Sequence, residues 1–272
     1  MTVPTLERVN VYPVKSLDPH DTLERVEVRE DGGLAHDREF AVVEASGEYV
    51  NGKNEPRVHE LRSWFDPKAG RLTLRGPDGD PAAFGVEDRA AIEAWLTDFF
   101  GRPVELRRDE TGGFPDDTLA SGPTVIAAAT LEAVADWFDG IDAAEMERRL
   151  RPNLVVSGVE PFWEDRLYED AETVVPFDVG GVRLYGVNPC QRCVVPTRDP
   201  DTGEETPEFQ RTFTEQRQAT LPEWASEAWF DHYFRLMVNT NVRQTDWGEQ
   251  IAVGDSVAGP LEPVPATAVD SS

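Results

Sequence analysis

Polar and apolar positions alternate through much of the first hundred residues. "TLERVEVRE" (22–30) alternates cleanly and "RVNVYPVKSL" (8–17) more weakly, so both read as strands. "REFAVVEASGEYV" (38–50) predicts a hairpin around a Ser-Gly turn. "GRLTLRGPDGDPAAFGV" (70–86) predicts a second one around "GPDGD". The period changes at Asp88: Ile92, Trp95, Leu96 and Phe99 share one face, which predicts a helix over 88–100 stopped by Gly101. "RRDETGGFPDDTLASGP" (107–123) is polar and rich in Gly and Pro, and reads as a connector between two lobes.

Past the connector, a second helix is predicted over 130–138, with Thr130 as its cap and Leu131, Val134 and Phe138 facing inward. A charged helix end at "RRLR" breaks at Pro152 into the strand "NLVVS". "TVVPFDVGGVRLYGV" (173–187) is a hairpin whose second strand runs into "NPCQRC". "ATLPEWASEAWFDHYFRLMV" (219–238) reads as helix then strand, "EQIAVGDSVAG" as a closing strand, and "PLEPVPATAVDSS" as a frayed tail. Strands outnumber helices and few βα units alternate. The fold class expected is mainly β with peripheral helices (α+β), barrel-like rather than doubly wound.

Composition narrows the function classes. The 272 residues carry 52 Asp and Glu against 26 Lys and Arg, a net charge of −26. Only Lys15, Lys53 and Lys68 are lysines. An acidic chain that keeps arginine and sheds lysine suits very high salt, where screening falls to ~3 Å and self-repulsion fades. Nucleic acid and anionic membrane are poor partners for it. No apolar run approaches the ~20 residues of a membrane span, and the start lacks a basic and then apolar leader. A cytoplasmic protein is expected, with no membrane partner. An anionic ligand would need a local cluster of the retained cations.

The two cysteines, Cys190 and Cys193, sit in "NPCQRCVVPTRDPDTG". A zinc site takes four N or S ligands, and His20, His36, His59 and His232 lack ligand spacing to one another or to the cysteines. An iron–sulfur cluster needs more cysteines still. A thioredoxin-type pair needs a following helix to lower the thiol pKa, and "VVPTRDPDTG" is a β-branched run and a turn. Two readings stay open. Both cysteines are small buried hydrophobes, or Cys193 is a functional thiolate favoured by the adjacent Arg192. "YPVKSL", "HDREFAVVE" and "RPNLVVSG" support the second, because each sets a cation, Lys15, Arg38 or Arg151, at the edge of an apolar strand.

Taken in order, "YPVKS", "DREFAVV", "NEPRV", "RPNLVVSG…WED" and "PCQRCVVPTRDPDTG" resemble MOSC proteins, in particular members with an N-terminal β-barrel domain. The resemblance implies an N-terminal β-barrel domain over 1–106, a MOSC domain over 107–262 and a flexible tail over 263–272. It implies a molybdenum cofactor of the molybdopterin type, with Cys193 as the metal ligand and catalytic residue. Lys15, Ser16, Arg38, Ser121, Arg151, Asn153, Gln191, Arg192 and Asn239 would contact the cofactor, and Cys190 would pack nearby. The implied activity is reduction of N-hydroxylated or related N–O and oxo substrates. Its partners would be a small-molecule substrate and a separate ferredoxin-like electron donor. The alternative is a carrier of the cofactor or of persulfide sulfur, without turnover of its own.

Overall fold

The computed structural model describes residues 3–18, 23–117 and 120–271, so His20 lies outside the described residues. In chain order, β1 (Thr5–Val9) and β2 (Arg25–Glu27) precede β3 (Phe40–Glu44), β4 (Arg62–Asp66), β5 (Arg71–Arg75) and β6 (Ala82–Gly85). Then come α1 (Arg89–Phe100), β7 (Val104–Arg108), β8 (Val125–Ala127), α2 (Ala128–Ala135), α3 (Ala143–Leu150) and β9 (Leu154–Ser157). β10 (Thr173–Val179) and β11 (Val182–Gln191) form a hairpin, and α4 (Phe209–Ala219) follows. β12 (Arg235–Val242), β13 (Gln250–Ala252), β14 (Val257–Ala258) and β15 (Val264–Pro265) complete the order.

The large sheet runs β1-β9-β8-β12-β11-β10-β14, with β15 also on β10. Its two ends meet. The Leu6 amide donates to the Asp255 carbonyl at 2.8 Å, Val257 to the Pro4 carbonyl at 2.9 Å, and Thr5 pairs with Ser256. The sheet therefore nearly closes into a barrel, the mainly β form that the strand count predicts. Its strands are short apolar runs because both faces are buried. Val125, Ala127, Leu154 and Val156 point into one cluster with Leu184 and Val238. Ile126 and Val155 point the other way, into a layer with Leu131 and Val134 of α2, Met146 and Leu150 of α3, and Phe209 and Phe213 of α4.

A second interior gathers β3 paired with β7, β4-β5-β6, and α1 around Phe40, Leu61, Leu72, Ile92 and Leu96. Asp88 caps α1 through the Ala91 amide, and Gly101 ends it in the left-handed region, as the pattern predicts. The segment 14–18 ties the two small sheets together, since Val14 bridges to Phe40 and Asp18 to Arg62. Strands from before and after residue 106 pair with one another: β1 with β9 in the large sheet, and β2 with β13 in a two-stranded sheet of their own.

Three expectations change. Thr130 is not a helix cap: α2 starts at Ala128 without a side-chain cap, and Thr130 is fully buried inside it. Its hydroxyl donates to Glu164 Oε2 at 3.0 Å and accepts from the Phe162 amide at 2.6 Å. The helix expected after Ala219 lies before it, as α4, whose buried stripe is Phe209, Phe213 and Arg217. Arg217 is sealed in the core on Asp165, at 2.6 and 2.7 Å, and Tyr168 donates to the same carboxylate at 2.7 Å. The tail is not wholly frayed, because β15 pairs with β10 and Ala266 donates to the Glu172 carbonyl at 2.8 Å.

Candidate functional site

Two of the cations singled out in the sequence flank one buried ring, and a third joins them through a shared acid. Tyr12 is 1% exposed, and the guanidinium carbon of Arg151 lies 4.1 Å from its ring centroid, that of Arg38 5.4 Å. Its hydroxyl donates to the Pro152 carbonyl at 3.0 Å, and its amide to Asp37 Oδ1 at 2.8 Å. Two desolvated cation–π contacts on one ring hold like charges in one place that would otherwise separate. Lys15 joins them from the segment that spans β3 and β4. Its amide is fixed on the Phe40 carbonyl at 2.7 Å, and its ammonium donates to the Phe114 carbonyl at 2.9 Å and to Asp116 Oδ1 at 2.5 Å. Arg38 pairs with Asp37 and stands 3.7 Å from Asp116.

Backbone strain marks the same place. Among the described residues, the non-glycine positions with positive φ include Ser16 (72°), Arg38 (51°) and Arg151 (57°), all three named from the sequence. Side chains avoid this region, and residues held in it gather where surroundings over-determine a functional geometry. Arg151 adopts it as the left-handed end of α3, with its amide on the Glu147 carbonyl at 2.7 Å. The turn folds its side chain back onto Tyr12, where it also donates to the Leu17 carbonyl at 2.6 Å and to Asp18 at 3.3 Å.

The cysteine loop is stitched to the last turn of α3. Arg192 donates to the Leu150 carbonyl at 2.8 Å, the residue before Arg151. Arg149 donates to the carbonyls of Pro196 and Arg198 at 3.0 and 2.9 Å. Arg148 spans Asp18 and Asp201 at 2.7 and 2.9 Å. β11 thus ends at Gln191, and Cys193 follows on a loop anchored beside the cationic cluster. Cys193 is half-buried with a free thiol. Arg192 acts differently from the expectation that it favours the Cys193 thiolate, for its guanidinium contacts Cys190 Sγ at 3.2 Å. Cys190 itself packs against the outer-layer core.

The other predicted residues divide. The Asn153 side chain accepts from the Thr124 amide at 3.1 Å and donates to the Asn10 carbonyl at 3.1 Å, so it joins β9 to the start of β8 and to the end of β1. Asn239 donates to Asn188 at 2.9 Å and to Asp117 at 3.0 Å. Ser121 is exposed and its hydroxyl donates to the Asp31 carbonyl at 2.5 Å, and Gln191 is exposed at the end of β11. Sequence reasoning missed Tyr12, Asp116, Asp117 and His59. Tyr12 had a signal, as the first letter of "YPVKS". The aspartates stood in a connector read only for its flexibility. His59 is tucked under Gly52, whose missing side chain also makes room for Val195, two residues past Cys193.

The electrostatics follow from burial. Burial pushes the Lys15 ammonium down, and Asp116 opposes it. Burial pushes Arg151 down as well, against Tyr12 and Asp18. Arg38 is raised despite its burial, because Asp37 and Asp116 stand against it. Burial would raise the Asp116 carboxyl, but Arg38 and Lys15 hold it at about 2. Burial, then Arg151, pushes His59 down to about 4, so it is neutral at pH 7.

These donors suit an anionic, metal-bearing cofactor. Among the described residues no three His, Cys, Asp or Glu side chains converge as a metal cage. One thiolate suffices only for a metal that arrives with soft ligands of its own, as a dithiolene-bound metal does. Buried cations, one of them next to the residue that holds the thiol's loop, suit a phosphate-bearing ligand. No helix among the described residues is long and apolar enough to cross a membrane.

Comparison with known proteins bears on the same segments. The family model described as MOSC N-terminal beta barrel domain matches residues 3–141, and the one described as MOSC domain matches residues 122–258. The chain is 26% identical over 235 residues to a molybdenum cofactor sulfurase of Arabidopsis thaliana, covering 68% of this chain and 28% of that protein. It is 26% identical over 236 residues to mitochondrial amidoxime-reducing component 1 of Homo sapiens, covering 74% of this chain and 68% of that protein. The Danio rerio amidoxime-reducing component 1 is 25% identical over 231 residues, 70% of this chain and 68% of that protein. The chain thus spans little more than a quarter of the sulfurase's length.

Proposed function

The chain belongs to the MOSC family and carries its N-terminal β-barrel domain, and from that premise we propose that it is a molybdenum-cofactor-binding oxidoreductase that reduces N–O bonds. The observation that carries this reading is the convergence of Arg38 and Arg151 on Tyr12, with Lys15 joined to Arg38 through Asp116 and Leu150 joining Arg151 to the Cys193 loop. The relatives named as amidoxime-reducing components favour N-hydroxylated substrates over other oxo compounds.

In this reading Cys193 is the metal ligand. Lys15, Arg38 and Arg151 take the anionic end of the cofactor, each charge-assisted contact contributing ~1.5–3 kcal/mol. Ser16, Ser121, Gln191, Arg192 and Asn239 border the ligand. Asn153 serves it indirectly, by fixing the strand that follows Arg151. When bound, the cofactor would supply the two-electron chemistry that removes the substrate oxygen, released as water with two protons. The electrons come from a separate ferredoxin-like protein, since the two cysteines are too few for a cluster. The cytoplasm, at high salt, is the place that the charge favours.

The alternative, a carrier of cofactor or persulfide sulfur, rests on the sulfurases among the relatives and on the partly accessible Cys193 thiol. Metal analysis and pterin fluorescence of the purified chain test the shared part. Reduction of benzamidoxime with reduced methyl viologen then separates the two. Bound cofactor with turnover that Cys193→Ser abolishes supports the enzyme. Bound cofactor without turnover supports the carrier, and absence of both metal and pterin from protein made in a cofactor-producing host sinks the enzyme and the cofactor carrier, leaving only a persulfide carrier.

A further inference from the structure

The segment Phe114–Asp117 lies across the cationic cluster and uses the donors that an anion would need. Among the described residues, the hydrogen bonds from Lys15 Nζ go to it: to the Phe114 carbonyl at 2.9 Å, the Pro115 carbonyl at 3.4 Å and Asp116 Oδ1 at 2.5 Å. The second oxygen of Asp116 faces Arg38 at 3.7 Å. The next residue, Asp117, accepts from Asn239 at 3.0 Å, and the other amide hydrogen of Asn239 goes to Asn188. Three residues assigned to the cofactor are therefore held by a strap of the chain itself.

We propose that Asp116 is a specificity-determining residue: an internal carboxylate that fills the anion site and yields to a doubly charged terminal phosphate but not to a monoanion. The proposal rests on the anion-site reading above. Arg38 already has Asp37, while Asp18 is shared by Arg62, Arg148 and Arg151. The charge left for a ligand is that of Lys15, which Asp116 now balances, and the part of Arg151's charge that the shared Asp18 leaves. A monoanion that displaces Asp116 exchanges one charge for another of the same size and gains nothing. A dianion adds a second charge and outcompetes the carboxylate, beside cations whose own burial strengthens each interaction.

The Asp116 side chain, unlike the backbone that carries it, is free to leave. The Lys15 side chain is 9% exposed but the Asp116 side chain is 65% exposed, so the carboxylate swings to water while the cation stays. The strap enters through Gly112 and Gly113. Gly113 has φ +63°, and a Cβ there would stand 2.9 Å from the carbonyl oxygens of Asp37 and Arg38, so a side chain would push the strap off the site. Its backbone is pinned to this surface by the Phe114 amide on the Arg38 carbonyl at 2.8 Å.

Isothermal titration of the cofactor-free full chain with inorganic pyrophosphate, and separately with formate, tests this at constant ionic strength. Asp116→Asn is expected to bind pyrophosphate about ten-fold tighter than the wild type, the return of one charge-assisted contact, and to gain formate binding. Lys15→Met removes binding in both backgrounds. If Asp116→Asn binds pyrophosphate no tighter while Lys15→Met loses it, the carboxylate does not compete and the proposal falls with the anion site intact. If neither wild type nor Asp116→Asn binds pyrophosphate, the anion-site reading falls and takes the proposal with it.

Discussion

Replacing Glu164 by Gln isolates one proton buried in the fold. Glu164 is fully buried; its Oε2 accepts from the Ala127 amide at 3.2 Å and from Thr130 at 3.0 Å, and its Oε1 has no partner. Burial, reinforced by Asp165 beside it, raises its carboxyl from 4.5 to about 8. The folded state therefore holds this proton at pH values where the unfolded chain has released it. Stability from the group is present below pH 4.5 and is lost as pH rises towards 8. At 1.36 kcal/mol per unit, the full loss is roughly 3–5 kcal/mol. Glutamine does not titrate, and its carbonyl keeps both acceptor contacts. Its NH₂ takes the unpartnered place of Oε1, at a penalty of about 1–3 kcal/mol. The variant is thus the less stable protein at pH 5, and the gap closes or reverses by pH 8.5. Urea unfolding followed by tryptophan fluorescence, at fixed salt from pH 5 to 8.5, measures the difference. His59, held low by burial, destabilises the fold as pH falls below 6.5, but it does so in both proteins and cancels. Parallel stability curves for the two proteins would refute the argument.

Three further outcomes follow from other contacts. Arg217→Met leaves Asp165 as an unpaired buried charge and lowers stability by about 3–5 kcal/mol, and adding Asp165→Asn recovers most of it in a double-mutant cycle. Tyr12→Phe loses one hydrogen bond, about 1 kcal/mol, and keeps pyrophosphate affinity. Tyr12→Leu removes the ring from two guanidiniums, lowers stability by about 2 kcal/mol or more, and weakens pyrophosphate binding in the same titration. Cys193→Ser abolishes bound metal with an unchanged melting temperature, whereas Cys190→Ala keeps metal and loses about 1 kcal/mol of packing.

How much of this could be read from the chain depends on the range of each interaction. Local periodicity located α1 and its ends, because Asp88, the buried face and Gly101 all act within a few residues. It misplaced α4, because a helix is recognised by an apolar stripe and Arg217 stands in that stripe. An arginine can occupy a core position only where an acid meets it, and Asp165 is 52 residues away in sequence. Thr130 was misread for the same reason: the group that holds it is Glu164, not the start of its own helix. The lone CxxC and the surviving Lys15 were legible because composition made them rare. The connector shows the opposite case. Its Gly, Pro and Asp content reports only that the backbone turns and meets water, and Asp116 contributes to that signal whether or not a cation waits 101 residues earlier. Charge in a loop is ordinary in a chain with 52 acids. What distinguishes Asp116 is its partner: a buried lysine must be neutralised by something. In a chain that has shed nearly all its lysines, asking what neutralises Lys15 leads to Asp116, and from there to the ligand proposed to replace it.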